Sequence, residues 1–525
     1  MKMKKTYLGL LMSAALLTTS CDMDTTHFGV ISQENYIETV SDCDAFINGI
    51  YGTLRGISGD GTTILPVFYP EVQMDQFVGV VDNGNRGGVM STGQIKAGDT
   101  DLANIFYNCY VLINQTNYFD PRVDLLIESD EISAANQELL KYYKGSAKFA
   151  RAYAYWYLFD KYVWYDAAKL DQAGLGLPIE KEFHPSGDRS TYQPRATIAE
   201  TVAYINSELA EAYDLIKEYE TNVSAGYCAP NAARISSYTV AALQARFALQ
   251  CNDYATAAQK AELVINSELY ELTPADQYAS MWVNDEGKEL LFVPYAEQGQ
   301  GGKAFGVNYL RNNQKNSSDY IPTLDALMAY DEGDVRFDAF FEVYNPMQIQ
   351  GVQYVAYAFN KFPGNPALNT GSTNALLNKA KPFRLSELYL VAAEAYAADG
   401  AAKNETKANS YLNALRKARI VGYAAQTYSG ATLQKAIRDE RGKELIGEGF
   451  RLGDLRRWGN GFTRKAGYDE LLGTELAVLG EVFEGIAAQT NGITYSATDY
   501  RFIWPIPTRE IQVNPQIAGQ QNPGY

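Results

Sequence analysis

The sequence predicts a mostly α-helical protein: helical hairpins of tetratricopeptide-like form stack into one curved scaffold, and irregular, loop-rich segments pack on one side as a second lobe. Three observations carry this. Apolar residues recur at helical spacing through much of the chain, pairs of such segments are joined by tight turns, and two long stretches between them combine weak periodicity with many aromatics.

Taken in order, the first twenty residues read as an export signal. Lys2, Lys4 and Lys5 form a positive start, and the apolar or small run from Leu8 to Leu17 is shorter than the ~20 residues a membrane span needs. Thr18, Thr19 and Ser20 lead directly into Cys21, the arrangement of a lipoprotein cleavage site, so Cys21 is the expected lipid attachment point and residues 1–20 the signal peptide. No later stretch reaches transmembrane length, so the mature chain is expected to be held at a membrane by its lipid.

Helical patterns follow at 134–160 and 196–219. In the second, Ile198, Val202, Ile205, Leu209 and Ile216 mark one amphipathic face. An alanine-rich helix from Ser236 to Gln250 breaks at Asn252-Asp253 and a partner runs from Tyr254 to about Ser267. A second pair spans Arg384 to Ala398 and Lys407 to Arg419, with its turn at Asp399-Gly400. Neither hairpin can bury its apolar face alone, which is why they are expected to stack. Residues 55–105 and 272–380 are rich in Gly, Asn, Pro and aromatics; long insertions of this kind are where function concentrates.

Composition narrows the function. The net charge is −17; loss of residues 1–20 removes three lysines and no acid, leaving −20. A surface that acidic repels phosphate backbones, so nucleic acid is not an expected partner. The chain holds 39 tyrosines, with an apolar ring and polar tip suited to packing and to sugar stacking alike. Cys43, Cys109, Cys228 and Cys251 are too scattered for a disulfide framework; Cys228 and Cys251 are the pair left open, and no essential bridge is expected.

The sequence carries no complete catalytic signature. His27 and His184 are the only histidines, which excludes a histidine-based metal cluster and disfavours a Ser-His-Asp triad. Gly299, Gly301, Gly302 and Lys303 resemble a phosphate loop, but Ala304 replaces the magnesium-binding hydroxyl. Asp82-Asn83-Gly84-Asn85 lacks a Glu at the twelfth position of a calcium loop and reads as a turn. No cofactor is expected; a structural calcium ion stays open. A glycosidase needs only two carboxylates at the right separation, which 62 acids leave open as well.

The C-terminal third carries a specific resemblance. RLSELYLVAAEAYAADG (384–400), YLNALRKAR (411–419), LQKAIRDERGKELIGEGFRLGDLRRWGNG (433–461) and the ending WPIPTREIQVNPQIAGQQNPGY resemble the SusD/RagB family of outer-membrane nutrient-binding lipoproteins. GSAKFARAYAYWYLFDKY (145–162) and the spacing of Phe106, Tyr110, Ile113 and Asn117 are similar to its first long helices. The resemblance implies one SusD-like domain over 21–525: an N-terminal part to residue 270, the insertion 272–380 and a C-terminal part 381–525. It implies a protein without catalytic activity that captures an oligosaccharide or polysaccharide and delivers it to a SusC-like TonB-dependent transporter. It also implies an outer-membrane location facing the exterior, for which Asp22 and Asp24 after the cysteine are suggestive. RagB-like peptide capture and, further off, a surface glycoside hydrolase are the alternatives.

Sugar rings present apolar C–H faces and hydroxyl edges, so ligand residues are expected among aromatics and polar groups of the insertions. The candidates are Asn83, Arg86, Trp282, Tyr295, Phe305, Tyr309 and Tyr320. The charged set Glu440, Arg441, Glu444, Glu448, Arg451, Asp454, Arg456 and Arg457 is read as structural. Its opposite charges fall three or four apart on helices, and neighbouring arginines would hold Glu444 and Glu448 ionised, unsuited to proton donation.

Overall fold

The computed structural model describes residues 37–60, 65–79, 87–299, 318–349, 352–368, 376–464 and 493–525. The export signal, Cys21 and the Asp82–Asn85 turn lie outside these residues.

The helices are α1 (Val40–Arg55), α2 (Leu65–Val72), α3 (Thr100–Ile127), α4 (Ala134–Tyr162), α5 (Ile198–Asn222), α6 (Ser237–Gln250), α7 (Tyr254–Ile265), α8 (Tyr278–Asn284), α9 (Leu385–Ala397), α10 (Glu405–Arg419), α11 (Gly430–Glu444) and α12 (Arg451–Arg457), with shorter turns between them. The expected mostly helical architecture is what the chain adopts. Local chemistry sets the boundaries. Thr197 and Glu200 form a reciprocal capping box at the start of α5, whose residues Ile198, Ile205, Leu209, Ala212 and Ile216 are buried. The α6–α7 hairpin turns at Asn252, which takes the left-handed conformation that Asn tolerates, and Asp253 then caps α7 by accepting from the Thr256 N–H.

Helices α3, α4 and α5 pack side by side, α5 leads to α6, and α7 lies against α9, which in turn packs on α10 and α11. The chain therefore leaves the scaffold after α7, builds the insertion, and returns to the neighbouring place in the stack. The return is pinned by β2 (Leu290–Phe292) pairing antiparallel with β6 (Phe383–Arg384). The stretches read as irregular contain more structure than weak periodicity suggested. Residues 65–72 are helical, β1 (Phe77–Gly79) pairs with β3 (Tyr320–Pro322), and β4 (Phe341–Ile349) forms a hairpin with β5 (Val352–Phe359). Three-residue strands are too short to show a period in sequence. The β1–β3 pair also joins the two insertions, so they form one lobe.

A buried charge network locks this lobe to the scaffold. Arg384 donates to Glu289 (2.8 Å) and Glu444 (2.9 Å) and makes a forked pair with Glu448 (2.6 and 2.9 Å). Arg419 bridges Glu289 and Glu444, and Arg336 bridges Asp334, Glu440 and Glu444. Although burial alone would raise it, the arginines around Glu444 hold its carboxyl well below the usual range. Arg336, Lys443 and Arg416 likewise bring Glu440 down to about 2 against the same burial cost. The structural reading of these acids is thus supported, with one correction. The partners come mostly from other elements and not from three or four residues away: Arg441 pairs with Asp454, Arg451 with Asp75, Arg456 with Asp160 and Arg457 with Glu394.

The Glu-Gly-x-Arg signature has its own geometry. Gly447 and Gly449 both adopt positive φ, and their N–H groups, with that of Arg451, donate to the buried Glu71 carboxylate of α2. The C-terminal motif docks on the end of α4: the Trp504 N–H donates to the Lys161 carbonyl, and the Asn522 amide donates to the Tyr162 and Trp504 carbonyls. Cys43, Cys109, Cys228 and Cys251 are free thiols, and Cys228 does not pair with Cys251. Among the described residues no helix is long and apolar enough to cross a membrane.

Candidate functional site

Where the insertion leaves the scaffold, α8 stops abruptly because Asp285 turns left-handed (φ 56°), and the chain reverses through Asn284–Lys288 before entering β2. Asp285 is the anchor of this corner. Its carboxylate accepts from the Asn378 and Asn365 amides (3.0 and 2.9 Å), from the Lys379 N–H (3.0 Å) and from the Lys381 ammonium. Those bonds hold 284–286, 365–368 and Lys379 together, and with 295–298 these segments line an open pocket of about 580 Å³, within the range of small-ligand sites.

The pocket carries an aromatic wall and a polar rim. Tyr295 is 56% exposed, and its phenol donates to Glu297 (2.9 Å) while its carbonyl accepts from Arg55 (2.9 Å), which fixes the backbone that presents the ring. Asn284, Glu286, Gln298 and Lys379 add donors and acceptors of both signs, and Leu368 and Ala367 supply apolar floor. An aromatic face framed by amides, carboxylates and an ammonium is complementary to a polyhydroxylated ring, which needs both stacking and many hydrogen bonds.

Of the candidate ligand residues, Tyr295 alone among those described presents a ring to solvent. Trp282 is 1% exposed and lies in the core, edge-on to Tyr278, Phe340 and Phe362, with Lys361 4.5 Å and Lys381 5.0 Å from its ring. Tyr320 is fully buried in β3 against Phe68. Both are therefore corrected to packing residues: a ring covered by protein has no face for a sugar. Asn83, Arg86, Phe305 and Tyr309 lie outside the described residues. The pocket's polar residues were missed. The signal that could have found them is the polar reversal Asn284-Asp285-Glu286-Gly287-Lys288, since such a cluster after a short helix marks an exposed turn.

No group of His, Cys, Asp and Glu placed to hold a metal occurs among the described residues, and His184 is exposed, away from this pocket.

The fold and pocket first define a class: a helical-hairpin scaffold bearing a loop-built lobe with an aromatic, polar recess. Two family models match, one described as the SusD family over residues 340–525 and one described as starch-binding associating with outer membrane over 32–249. SusD-like protein P25 of Formosa agariphila is 22% identical over 94% of both chains, and SusD-like protein P2 of the same organism is 24% identical over the whole of both. Among solved structures, a SusD superfamily protein of Bacteroides thetaiotaomicron matches with TM-score 0.73 and 26% identity over 93% of this chain and all of its own. Surface glycan-binding protein A of Bacteroides fluxus matches with TM-score 0.67 and 19% identity over the same shares. The chain belongs to the SusD/RagB family.

Proposed function

We propose that the protein is a surface glycan-binding lipoprotein that captures oligosaccharide or polysaccharide chains and delivers them to a SusC-like TonB-dependent transporter, without cleaving them. The observation that carries the reading is the open 580 Å³ recess in which the exposed Tyr295 ring is framed by polar side chains. The starch-binding, outer-membrane description of the family model and the printed name of the B. fluxus relative support a sugar as ligand. The lipid on Cys21 places this recess at the outer face of the membrane, with residues 21–525 acting as one domain whose insertion and scaffold share the Arg384–Glu444 network.

The test is a binding screen of the chain begun after Cys21 against polysaccharides and peptides, by affinity electrophoresis and calorimetry, with the polymer checked for length afterwards. Retarded migration in one polysaccharide with its length unchanged is the expected result. Release of reducing sugar would replace capture with hydrolysis and direct attention to Glu286 and Glu297 on the rim. Heat on peptide titration with none on any glycan would move the ligand class to peptides.

A further inference from the structure

A second open pocket, of about 260 Å³, lies in the scaffold and not in the lobe, where the start of α7, the C-terminal end of α9, the middle of α11 and the end of α12 meet. It shares no lining residue with the Tyr295 recess. Two half-buried rings, Tyr254 and Trp458, and the aliphatic side chains of Ile437 and Ala397 give it an apolar wall.

All but one of the charged residues in the lining are ion-paired. Arg457 pairs with Glu394 and Asp454, and Glu394 also accepts from the Trp458 N–H (2.6 Å). Asp399, at the mouth, pairs with Lys403 (2.8 Å). On the neighbouring turns of α11, Lys435 and Asp439 pair with each other (2.6 Å). Arg438 remains: among the described residues no carboxylate or carbonyl accepts from its guanidinium, which lies over the Trp458 ring, 5.4 Å from the centroid. Contact with a ring leaves the guanidinium N–H groups unbonded, and these form a fork that matches a carboxylate. The acceptors lie on other residues. Gln434 donates its amide to the Ala397 carbonyl (3.2 Å), which leaves its oxygen to accept, and Asp399 is 85% exposed. Because Lys403 already neutralises Asp399, this carboxylate suits hydroxyl donors better than an ammonium. The pocket is smaller than the ~300–1,000 Å³ that take drug-sized ligands, so it fits a body of about one ring.

We propose that this pocket binds a sugar acid, a hexuronate, with its carboxylate on Arg438, its hydroxyls on Gln434 and Asp399, and its C–H face against the Tyr254 and Trp458 wall. A carboxylate alone would leave the two acceptors unused, and a neutral sugar would leave the arginine fork unused; a uronate engages both. The site stands whatever the Tyr295 recess binds.

The probes are D-glucuronate and D-galacturonate, with D-glucose, D-galactose, acetate and glycine beside them, titrated into the whole mature chain by saturation-transfer NMR and calorimetry. One uronate is expected to bind, and each of the other four at least about tenfold more weakly, the loss of a charge-assisted fork or of the hydroxyl contacts. Arg438→Gln is expected to weaken the uronate by about tenfold or more with an unmoved unfolding midpoint, since the side chain is half-exposed. Arg438→Lys, which keeps the charge and loses the fork, should fall between the two, and Tyr295→Ala should bind the uronate as the unmodified chain does. Binding of neither uronate, equal binding of acetate or glycine, or full uronate affinity in both Arg438 variants overturns the proposal. A loss in Tyr295→Ala overturns it too, by placing the acid in the other recess. The comparison among the six small molecules needs no variant and so decides the ligand class even if a substitution fails to fold.

Discussion

At the scale of single residues, the decisive contrast is between Trp282 and Tyr295, thirteen positions apart in sequence and opposite in circumstance. Trp282 is enclosed by three aromatic rings and two lysines, whereas Tyr295 stands in solvent with its phenol tethered to Glu297. Replacing Trp282 with alanine opens a core cavity and is expected to cost about 3–5 kcal/mol of stability, measured as a lowered urea midpoint. A Trp282→Ala protein of unchanged midpoint that had lost glycan binding would return Trp282 to the ligand site. Sequence could nominate both residues because both are aromatics in a loop-rich insertion. It could not rank them, because what covers Trp282 comes from segments distant in sequence, Phe340, Lys361, Phe362 and Lys381.

The elements show where local chemistry suffices. The α6–α7 and α9–α10 hairpins were legible because each helix spans three turns or more and each junction carries its own breaker, Asn252-Asp253 or Asp399-Gly400. Asn252 sits at φ 59°, a conformation that a β-branched residue adopts with strain. Asn252→Val is therefore expected to lower stability by about 1–2 kcal/mol, with Asn252→Gly near neutral, both read from thermal denaturation. Equal effects of the two would mean that backbone conformation does not set this turn. The strands were not legible at all. β1 and β3 are three residues each and lie some 240 positions apart, so neither periodicity nor proximity announces the pair that welds the two insertions together. Nor does anything in the sequence mark Glu71, which receives three N–H groups from the most recognisable motif in the chain.

For the whole molecule, the governing feature is a core held by charge as well as by apolar burial. Glu440, Glu444, Glu448, Glu394 and Asp160 are buried and titrate below their ordinary values because arginines and lysines surround them. A carboxyl whose pKa is lower folded than unfolded stabilises the fold above the unfolded value of ~4.5 and loses that contribution as pH falls toward the folded one. Glu440, brought down to about 2, keeps its contribution until the pH nears that value. Stability is therefore expected to hold between about pH 5 and 7 and to fall steeply from about pH 4.5 toward pH 2, followed by circular dichroism in urea at each pH. A denaturation midpoint constant down to pH 2.5 would show that the network adds little to folding. The clamp is legible in the sequence, but its partners are not: helical spacing suggests pairs within one helix, while Arg336, Arg384 and Arg419 reach Glu444 from three separate places in the chain.

The central claim is that the recess beside Tyr295 holds the glycan. The most direct test is calorimetric titration of Tyr295→Ala with a polysaccharide that the unmodified protein binds, alongside its unfolding midpoint. Losing one stacked ring of about 1–3 kcal/mol predicts an affinity at least about tenfold weaker with the midpoint unmoved, since the ring is mostly in solvent. Unchanged affinity in a folded Tyr295→Ala protein would place the glycan elsewhere on the molecule and contradict the account.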